Sequence, residues 1–489
     1  MNITIQKAKN GEETAVFENH FLHSNYAPVK EAERFVENLK LPYIPSYIIV
    51  TEPALSYITA FLKNRFPDIK LGVIRYCDEF KNYNKDFDLV LNYFEHPDFK
   101  TYLENTLNEE ELLKCFFVPW TPSSQAFNET DKLVWKSIKA ALERSKTLLI
   151  TRQYFEKKWF LNSCNFVRYI KTLVSFPFPI KKDVLIISSG PSLKPFIKTI
   201  QNNKDKFFII ALSSAISVCI KNNINPNLCM STDGGYWASE HLKALYKHDI
   251  PLAMSSEGYC KKSLLAKLKI LPLDYGDGFS HELISSSRLP AAKALRNGTV
   301  SGTALLFAVS NFTKNVYLCG MDMAAQNGFQ HTQPNQLELN ASLADYRLKN
   351  KMSRIYRSGL TNGSLDIYRQ WFINTPLQTV NRKVFRLIQK TDAKNSLGWI
   401  EDVELSTFEE MAVSINESSK VAGTTQNFSF KFDKAVSNLL NTDSWKKQLF
   451  PLDYVQLSHS TEKEPIINKI ENEWNDLKHK AESILNADI

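Results

Sequence analysis

Two side chains in this sequence have the type and placement to move a proton. In VYLCGMDMAAQNGFQHT (Val316–Thr332) an apolar run ends in Gly320 and Asp322, and His331 follows in a polar loop. An acid just past a buried strand is well placed to bind a ribose, a metal or an acceptor hydroxyl. Capping of a helix or turn is the competing account of Asp322. His331 belongs to a residue type that changes charge near neutral pH and serves as a general base. The plainer alternative is an exposed loop histidine.

Groups that hold phosphate come next. VLIISSGPSL (Val184–Leu193) reads as a strand, a tight glycine turn and a helix start. Gly190 lets the backbone approach a ligand with no Cβ in the way, Pro191 suits a first helical turn, and free amides around Ser192 attract an anion. An ordinary strand–helix turn has the same sequence signature. NGTVSGTALLFAV (Asn297–Val309) opens an apolar helix with Thr299, Ser301 and Gly302, as a second phosphate or ribose contact or as plain capping. In LCMSTDGGYW (Leu228–Trp237), Asp233 precedes two glycines and the aromatics Tyr236 and Trp237. That order admits a stacked sugar or nucleotide, or simply a glycine turn beside core rings. No Walker lysine follows Gly190 and no GxGxxG occurs, so the ATPase and dehydrogenase signatures are missing.

These positions share a place in the chain's elements. VLIISS, FFIIALSS, LCMSTD, PLAMSS, KILPLDY and VYLCGMD predict strands, and nearly all end in small or polar residues. With helical segments between them they suit an open, mostly parallel sheet, which binds ligands at the carboxyl ends of its strands. Gly190, Ser192, Ser213, Asp233, Asp274, Tyr275, Ser301 and Gly302 therefore form the candidate nucleotide- and donor-binding set. Asp322 and His331 are the catalytic candidates.

The expected class is α/β, in four regions. An N-terminal α/β domain covers 1–128, with SYIIVT, PALSYITAFLKNRF and LGVIRY as a βαβ unit and CFFVPW as a further strand. A helical connector covers 129–182, with Leu133, Ile138 and Leu142 near one face and Thr130 or Asp131 as cap. A Rossmann-like central domain covers 183–394, and a mainly helical C-terminal region 395–489. Its last segment spaces Ile466, Ile470, Trp474, Leu477, Ala481 and Ile484 by threes and fours.

Bulk composition narrows the function. A net charge of +8 over 489 residues is too diffuse to demand nucleic acid. The densest basic stretch, Arg347 to Arg357, reads as a solvated helix face. The cysteines are scattered, with no CxxC pair or zinc spacing, as buried reduced thiols of a cytosolic protein would be. No secretory leader and no apolar run of about 18 residues is present, so a cytoplasmic protein without a membrane span is expected.

Together GPSL at Gly190, STDGGYW at Ser231, the SGTA-type helix start at Ser301, and GMDMA followed by QHT at His331 resemble the motility-associated factor (Maf) flagellin glycosyltransferases. That family's central domain is similar to the hydroxymethylpterin diphosphokinase-like proteins. SNYAPVKEAERFVENL (Ser24–Leu39) resembles the opening motif of Maf proteins alone. The centre is also similar to bacterial CMP-sialic acid sialyltransferases, with counterparts at Gly190–Leu193, Val300-Ser301-Gly302 and Cys319–Asp322. The resemblance implies a CMP-linked nonulosonic acid, of pseudaminic or legionaminic type, as donor and Ser or Thr of flagellin as acceptor. It also carries departures. Phe329 and His331 stand where the sialyltransferases place phosphate-holding tyrosines, and no histidine occurs in Ser358–Ser364, where a later catalytic one belongs.

The mechanism expected is direct displacement at the donor's anomeric carbon. The helix starts at Ser192 and Ser301 hold the departing phosphate, and Asp322 or His331 takes the acceptor's proton. The alternatives are an ATP-dependent pterin diphosphokinase-like enzyme, which needs Mg2+-binding acids, and a non-catalytic binding protein on the same scaffold. The one DxD, Asp86-Phe87-Asp88, lies in the N-terminal domain on a solvated strand edge. The motifs fix no cofactor and leave Mg2+ open.

Overall fold

Uncharged runs rich in β-branched and aromatic residues, such as Val184–Ile187 and Phe207–Leu212, are buried along their whole length. That is what a parallel sheet covered on both faces by helices requires. The computed structural model describes residues 3–323, 331–353, 363–375, 377, 382–389, 396–415 and 421–487. The chain divides into two compact units, one of Met1–Glu156 with Ser444–Asp476 and one of Lys157–Asp443 with Leu477–Ile489.

The first unit opens with an antiparallel meander, β1 (Ile3–Lys7), β2 (Glu13–Phe17) and β3 (His20–Phe21). A parallel sheet follows, of β4 (Tyr47–Thr51), β5 (Lys70–Arg75), β6 (Leu89–Asn92) and β7 (Cys115–Pro119), in the order β6-β5-β4-β7. The expected βαβ unit is there, but its helix starts at Ile58 rather than Pro53. The preceding residues wind instead around Arg75, 1% exposed. Its guanidinium donates to Glu52 Oε1 at 2.8 Å, to the Ala54 carbonyl at 3.0 Å and to Ser56 Oγ at 2.7 Å. Glu52, Ala54 and Ser56 take positive φ of 38°, 42° and 59° to supply those acceptors.

The connector is one 42-residue helix, Asn128–Tyr169. In the first unit its buried stripe is Val134, Ile138, Ala141, Ser145 and Leu149. Leu133, placed near the same face as Ile138, is exposed while Ile138 is buried. Asp131 does not cap; its carboxylate accepts from Ser124 Oγ and Tyr76 Oη.

The second unit holds β8 (Thr172–Ser175), β9 (Asp183–Ile187), β10 (Phe207–Leu212), β11 (Leu228–Ser231), β12 (Leu252–Ser255) and β13 (Lys269–Asp274). It continues with β14 (Ala292–Lys293), β15 (Val316–Cys319), β16 (Val384–Ile388), β17 (Glu401–Glu404) and β18 (Thr424–Asn427). The order is β17-β16-β15-β9-β10-β11-β12-β13-β8-β18, with β14 beside β13. Every pairing is parallel except β18 with β8. All six strands predicted for this region are present. Five more are not in that reading, two of them, β17 and β18, in the segment expected to be helical.

Neighbouring residues of one strand reach the two helical layers. Phe208 of β10 packs with Phe312 at the end of helix Val300–Asn311, whose Ala304, Leu305, Phe307 and Ala308 join the same core. Phe207 faces Phe408 and Tyr317, with Phe196 of helix Leu193–Asn203 against Phe408. From β9 the chain proceeds through β10 to β13 on one side, while β15 and β16 lie on the other. The β9–β15 boundary is thus a topological switch point, where such sheets open a crevice. The C-terminal residues form helices as expected, ending in Glu464–Leu485, with Ile470, Trp474, Leu477, Ala481 and Leu485 buried. The mixed α/β class read from the sequence stands.

All seven cysteines are buried with free thiols. Burial pushes the thiols of Cys115, Cys219 and Cys260 up to about 12. No helix of the described residues is long and apolar enough to cross a membrane.

Candidate functional site

At the switch point the ends of β9 and β15 are stitched together. Ser188 N–H donates to the Cys319 carbonyl and Gly190 N–H to the Gly320 carbonyl, both at 2.8 Å. The contact is so close that a Cβ on Gly190 would stand 2.2 Å from Asp322 Oδ2 and 2.4 Å from the Gly320 carbonyl. Gly320, at φ +71°, would put a Cβ 2.2 Å from the Ser188 carbonyl. Gly190 therefore serves the approach of β15's exit loop, and it also lines the cavity that opens at this point.

Asp322 Oδ2 accepts the Ser192 amide at 2.9 Å, so the acid caps helix Leu193–Asn203 from the other strand's loop. The amide assigned from sequence to a phosphate is taken by a carboxylate, which would repel a phosphate placed beside it. The Ser192 hydroxyl makes no cap bond and is buried with no hydrogen-bond partner among the described residues.

A cavity of about 220 Å3 opens here, and Ser188, Ser214, Val300, Ser301, Asp322 and His331 are among its walls. The Ser188 hydroxyl is buried there without a partner among the described residues. Helix Val300–Asn311 begins at this cavity. The Thr299 hydroxyl accepts the Gly302 amide at 2.9 Å, and Asn297 Oδ1 would lie 2.0 Å from a Cβ on Gly302. Gly302 thus serves the cap, while Val300 and Ser301 at the helix tip line the cavity. Ser213 starts the turn after β10, and its neighbour Ser214 lines the cavity and pairs with Ser189 Oγ at 2.8 Å.

His331 reaches the same cavity because Thr332 Oγ donates to the Gly190 carbonyl at 2.7 Å. Its backbone N–H donates to Glu338 Oε1 at 2.9 Å, and its Nδ1 lies 3.3 Å from that same oxygen. With Nδ1–H turned to the carboxylate, Nε2 is the basic nitrogen. Glu338, 5% exposed, was not singled out from the sequence. The signal available was an acid seven residues on, in the first turn of helix Gln336–Leu343. The His241 ring lies 6.4 Å from that of His331, and burial, then His331, pushes its pKa down to about 4.

Three predicted residues gather elsewhere on the sheet's carboxyl edge. Asp233 is exposed and Oδ1 accepts the Gly235 amide at 2.8 Å, a turn bond. Asp274 uses Oδ1 for the Gly276 amide at 2.9 Å and Oδ2 for His281 Nδ1 at 2.7 Å. Tyr275 lies 4.5 Å beneath the Arg296 guanidinium, and burial raises its pKa. Arg296 forms a two-pronged pair with Glu257 and bonds Asp277 at 2.8 Å. Glu257 and Arg296 escaped the sequence reading because neither belongs to a motif. Among the described residues no group of three or more His, Cys, Asp or Glu could hold a metal ion. Phe329 and Ser358–Asn362 lie outside the described residues.

Fold and site define a doubly wound α/β protein with a crevice at its topological switch point. Residues 158–328 match the family model described as 6-hydroxymethylpterin diphosphokinase MptE-like. The chain is 28% identical over 284 residues to an uncharacterized protein of Treponema pallidum (strain Nichols), 58% of this chain and 62% of that one. It is similar in fold to the structure of a Maf glycosyltransferase from Magnetospirillum magneticum AMB-1, with a TM-score of 0.51 and 12% identity. That likeness covers 99% of this chain and 91% of the other. The family model and the solved structure are of two of the three kinds that the sequence motifs resemble.

Proposed function

We propose that the second unit is a glycosyltransferase that moves a nonulosonic acid from a CMP-activated donor to a Ser or Thr hydroxyl of flagellin. The observation that carries this reading is the position of His331. It lines both the switch-point cavity and a neighbouring groove of about 560 Å3 that includes Lys194 and Lys221. A general base for transfer must reach the acceptor hydroxyl where that oxygen meets the donor's anomeric carbon, and this residue borders a space for each substrate.

In this mechanism the donor phosphate lies against the helix tip at Val300 and Ser301, where amides and the helix dipole favour negative charge. The Ser188 hydroxyl supplies a further donor. His331 Nε2 takes the acceptor hydroxyl's proton as the new C–O bond forms at the anomeric carbon. The bond from that carbon to the phosphate oxygen breaks, and CMP leaves with the electron pair. Glu338 stabilises the imidazolium so formed. Asp322 is a positioning residue, not the base. The acceptor and the sugar rest on the Ser24–Leu39 motif and on the Maf-like fold.

The test is calorimetric titration of the purified chain with CMP and then with ATP plus Mg2+, followed by transfer assays on flagellin with CMP-nonulosonates. Saturable CMP binding, with transfer abolished in His331→Ala, supports the reading; full transfer by that variant defeats it. The second reading, a pterin diphosphokinase-like activity, draws on the family-model match, and preference for ATP with Mg2+ would establish it.

A further inference from the structure

The first unit repeats the second unit's architecture on a smaller scale. Its sheet order β6-β5-β4-β7 places β5 and β6 on one side of β4 and β7 on the other, a switch point of its own. The ends of β4 and β7 meet where Trp120 N–H reaches the Thr51 carbonyl at 3.4 Å. A cavity of about 630 Å3 lies at this end, lined by His23, Glu31, Arg34, Phe35, Asn38 and Trp120 among others. That size is ordinary for a small-molecule site.

We propose that this cavity binds a pyranose sugar through His23 and Glu31. His23 is 1% exposed, and its Nε2 accepts the Leu55 amide at 3.0 Å, so its proton sits on Nδ1. Nδ1 is buried with no hydrogen-bond partner among the described residues. Across the cavity wall Glu31 Oε2 lies 3.9 Å from it and accepts the Ser24 amide at 2.7 Å. A donor and an acceptor at that separation are too far apart to bond, and one atom that accepts from the first and donates to the second joins them once the wall opens, since Nδ1 is closed to a water-sized atom in this structure. A hydroxyl does both. An ammonium cannot accept from Nδ1–H, and a carboxylate or phosphate would face Glu31.

The rest of the wall suits the same ligand. Phe35 and Phe21 offer ring surface to the apolar face of a sugar, and the Asn38 and Gln125 amides can each bridge neighbouring hydroxyls. The Leu55 amide that fixes the His23 tautomer belongs to the Glu52–Ser56 loop, whose positive-φ residues are held by Arg75. Strain of this kind persists where the surroundings over-determine it, and it collects at binding sites. The inference uses only this unit's own residues and stands apart from the glycosyltransferase reading.

The experiment is saturation-transfer NMR and calorimetry on the full chain with the methyl pyranosides of glucose, galactose and N-acetylglucosamine. At least one should bind saturably, and saturating CMP should leave it in place. Glu31→Gln should weaken it about tenfold, the size expected for a hydrogen bond to a charged group. Asn38→Ala, an exposed rim change that folding tolerates, should weaken it severalfold, while His331→Ala leaves it unchanged. No binding by any of the three sugars would overturn the proposal. So would wild-type binding in both first-unit variants, or displacement by CMP, which would place the sugar in the second unit.

Discussion

Asp322 and Ser192 lie 130 residues apart in sequence and 2.9 Å apart in space, carboxylate oxygen to backbone amide. This one bond fixes the exit of β15 against the first turn of the helix that follows β9. The walls of the switch-point cavity are therefore set by a contact that neither segment's sequence reveals alone.

Replacing Asp322 separates positioning from proton transfer. Asp322→Ala removes the cap and should cost about 1–2 kcal/mol of stability. Asp322→Asn keeps an acceptor oxygen and should retain most of the stability and a measurable fraction of transfer. Denaturant unfolding and initial rates on both variants decide it. A folded Asn variant as inactive as His331→Ala would make Asp322 the base.

The glycines at the strand ends should differ sharply in tolerance. Gly190→Ala and Gly320→Ala each force a Cβ within 2.4 Å of backbone or carboxylate oxygen. Each should lose more than about 3 kcal/mol. Gly276 has a similar positive φ of 78° but nothing within 4 Å of an added Cβ, so Gly276→Ala should cost only about 1 kcal/mol. Thermal melts of the three variants compare crowding with backbone strain.

His331→Ala should lower kcat by about 10²–10⁴-fold, the usual range for a general base, with CMP affinity within a factor of about two. Glu338→Gln should lower it less and shift the acidic limb of the rate profile, because the amide no longer favours the imidazolium. A Glu338→Gln enzyme with an unchanged pH profile would leave the carboxylate as a mere loop anchor.

Acid should destabilise the chain through two histidines. Burial, and then Arg75, holds the pKa of His23 down at about 3, and His241 sits at about 4, against 6.5 for a free imidazole. As pH falls below about 6.5 the unfolded chain takes up these protons while the folded chain does not. Stability is therefore complete above 6.5 and declines toward 4 and then 3, by at most about 1.4 kcal/mol per pH unit for each group. Urea unfolding at successive pH values should show this slope, and His23→Gln should flatten it. A flat profile between pH 6.5 and 4 in the wild type would contradict it.

The six strands around the candidate site were legible because each pairs an apolar run with a polar end, the mark of a buried parallel strand beneath a crevice. β16 was not, since VFRLI carries Arg386 at its centre, and the charge is met across the sheet by Asp402 on β17 at 2.7 Å. β18 is TTQN, polar and exposed, and joins the sheet through its backbone ladder and the Thr424 hydroxyl, 2.8 Å from Ser175 Oγ on β8. At the site, Gly190, Ser301, Asp322 and His331 could be found from motifs, and the structure brings them to one cavity. What they bond could not. Asp322 reads as a ligand-facing acid until Ser192 is beside it, and Glu338 has no meaning until the loop folds back on it. Asp233 and Asp274 were legible as strand-end acids, yet both hold turns.

The buried thiols have a practical consequence. With all seven cysteines inside the two units, and the thiols of Cys115, Cys219 and Cys260 held far above neutral, the folded chain offers a maleimide nothing to attack. A cysteine introduced at Asn38, on the rim of the first unit's cavity, or at exposed Asp233 in the second, would be the only labelled position. A fluorophore can thus be mounted in either unit of the wild-type background and each ligand followed by its own signal.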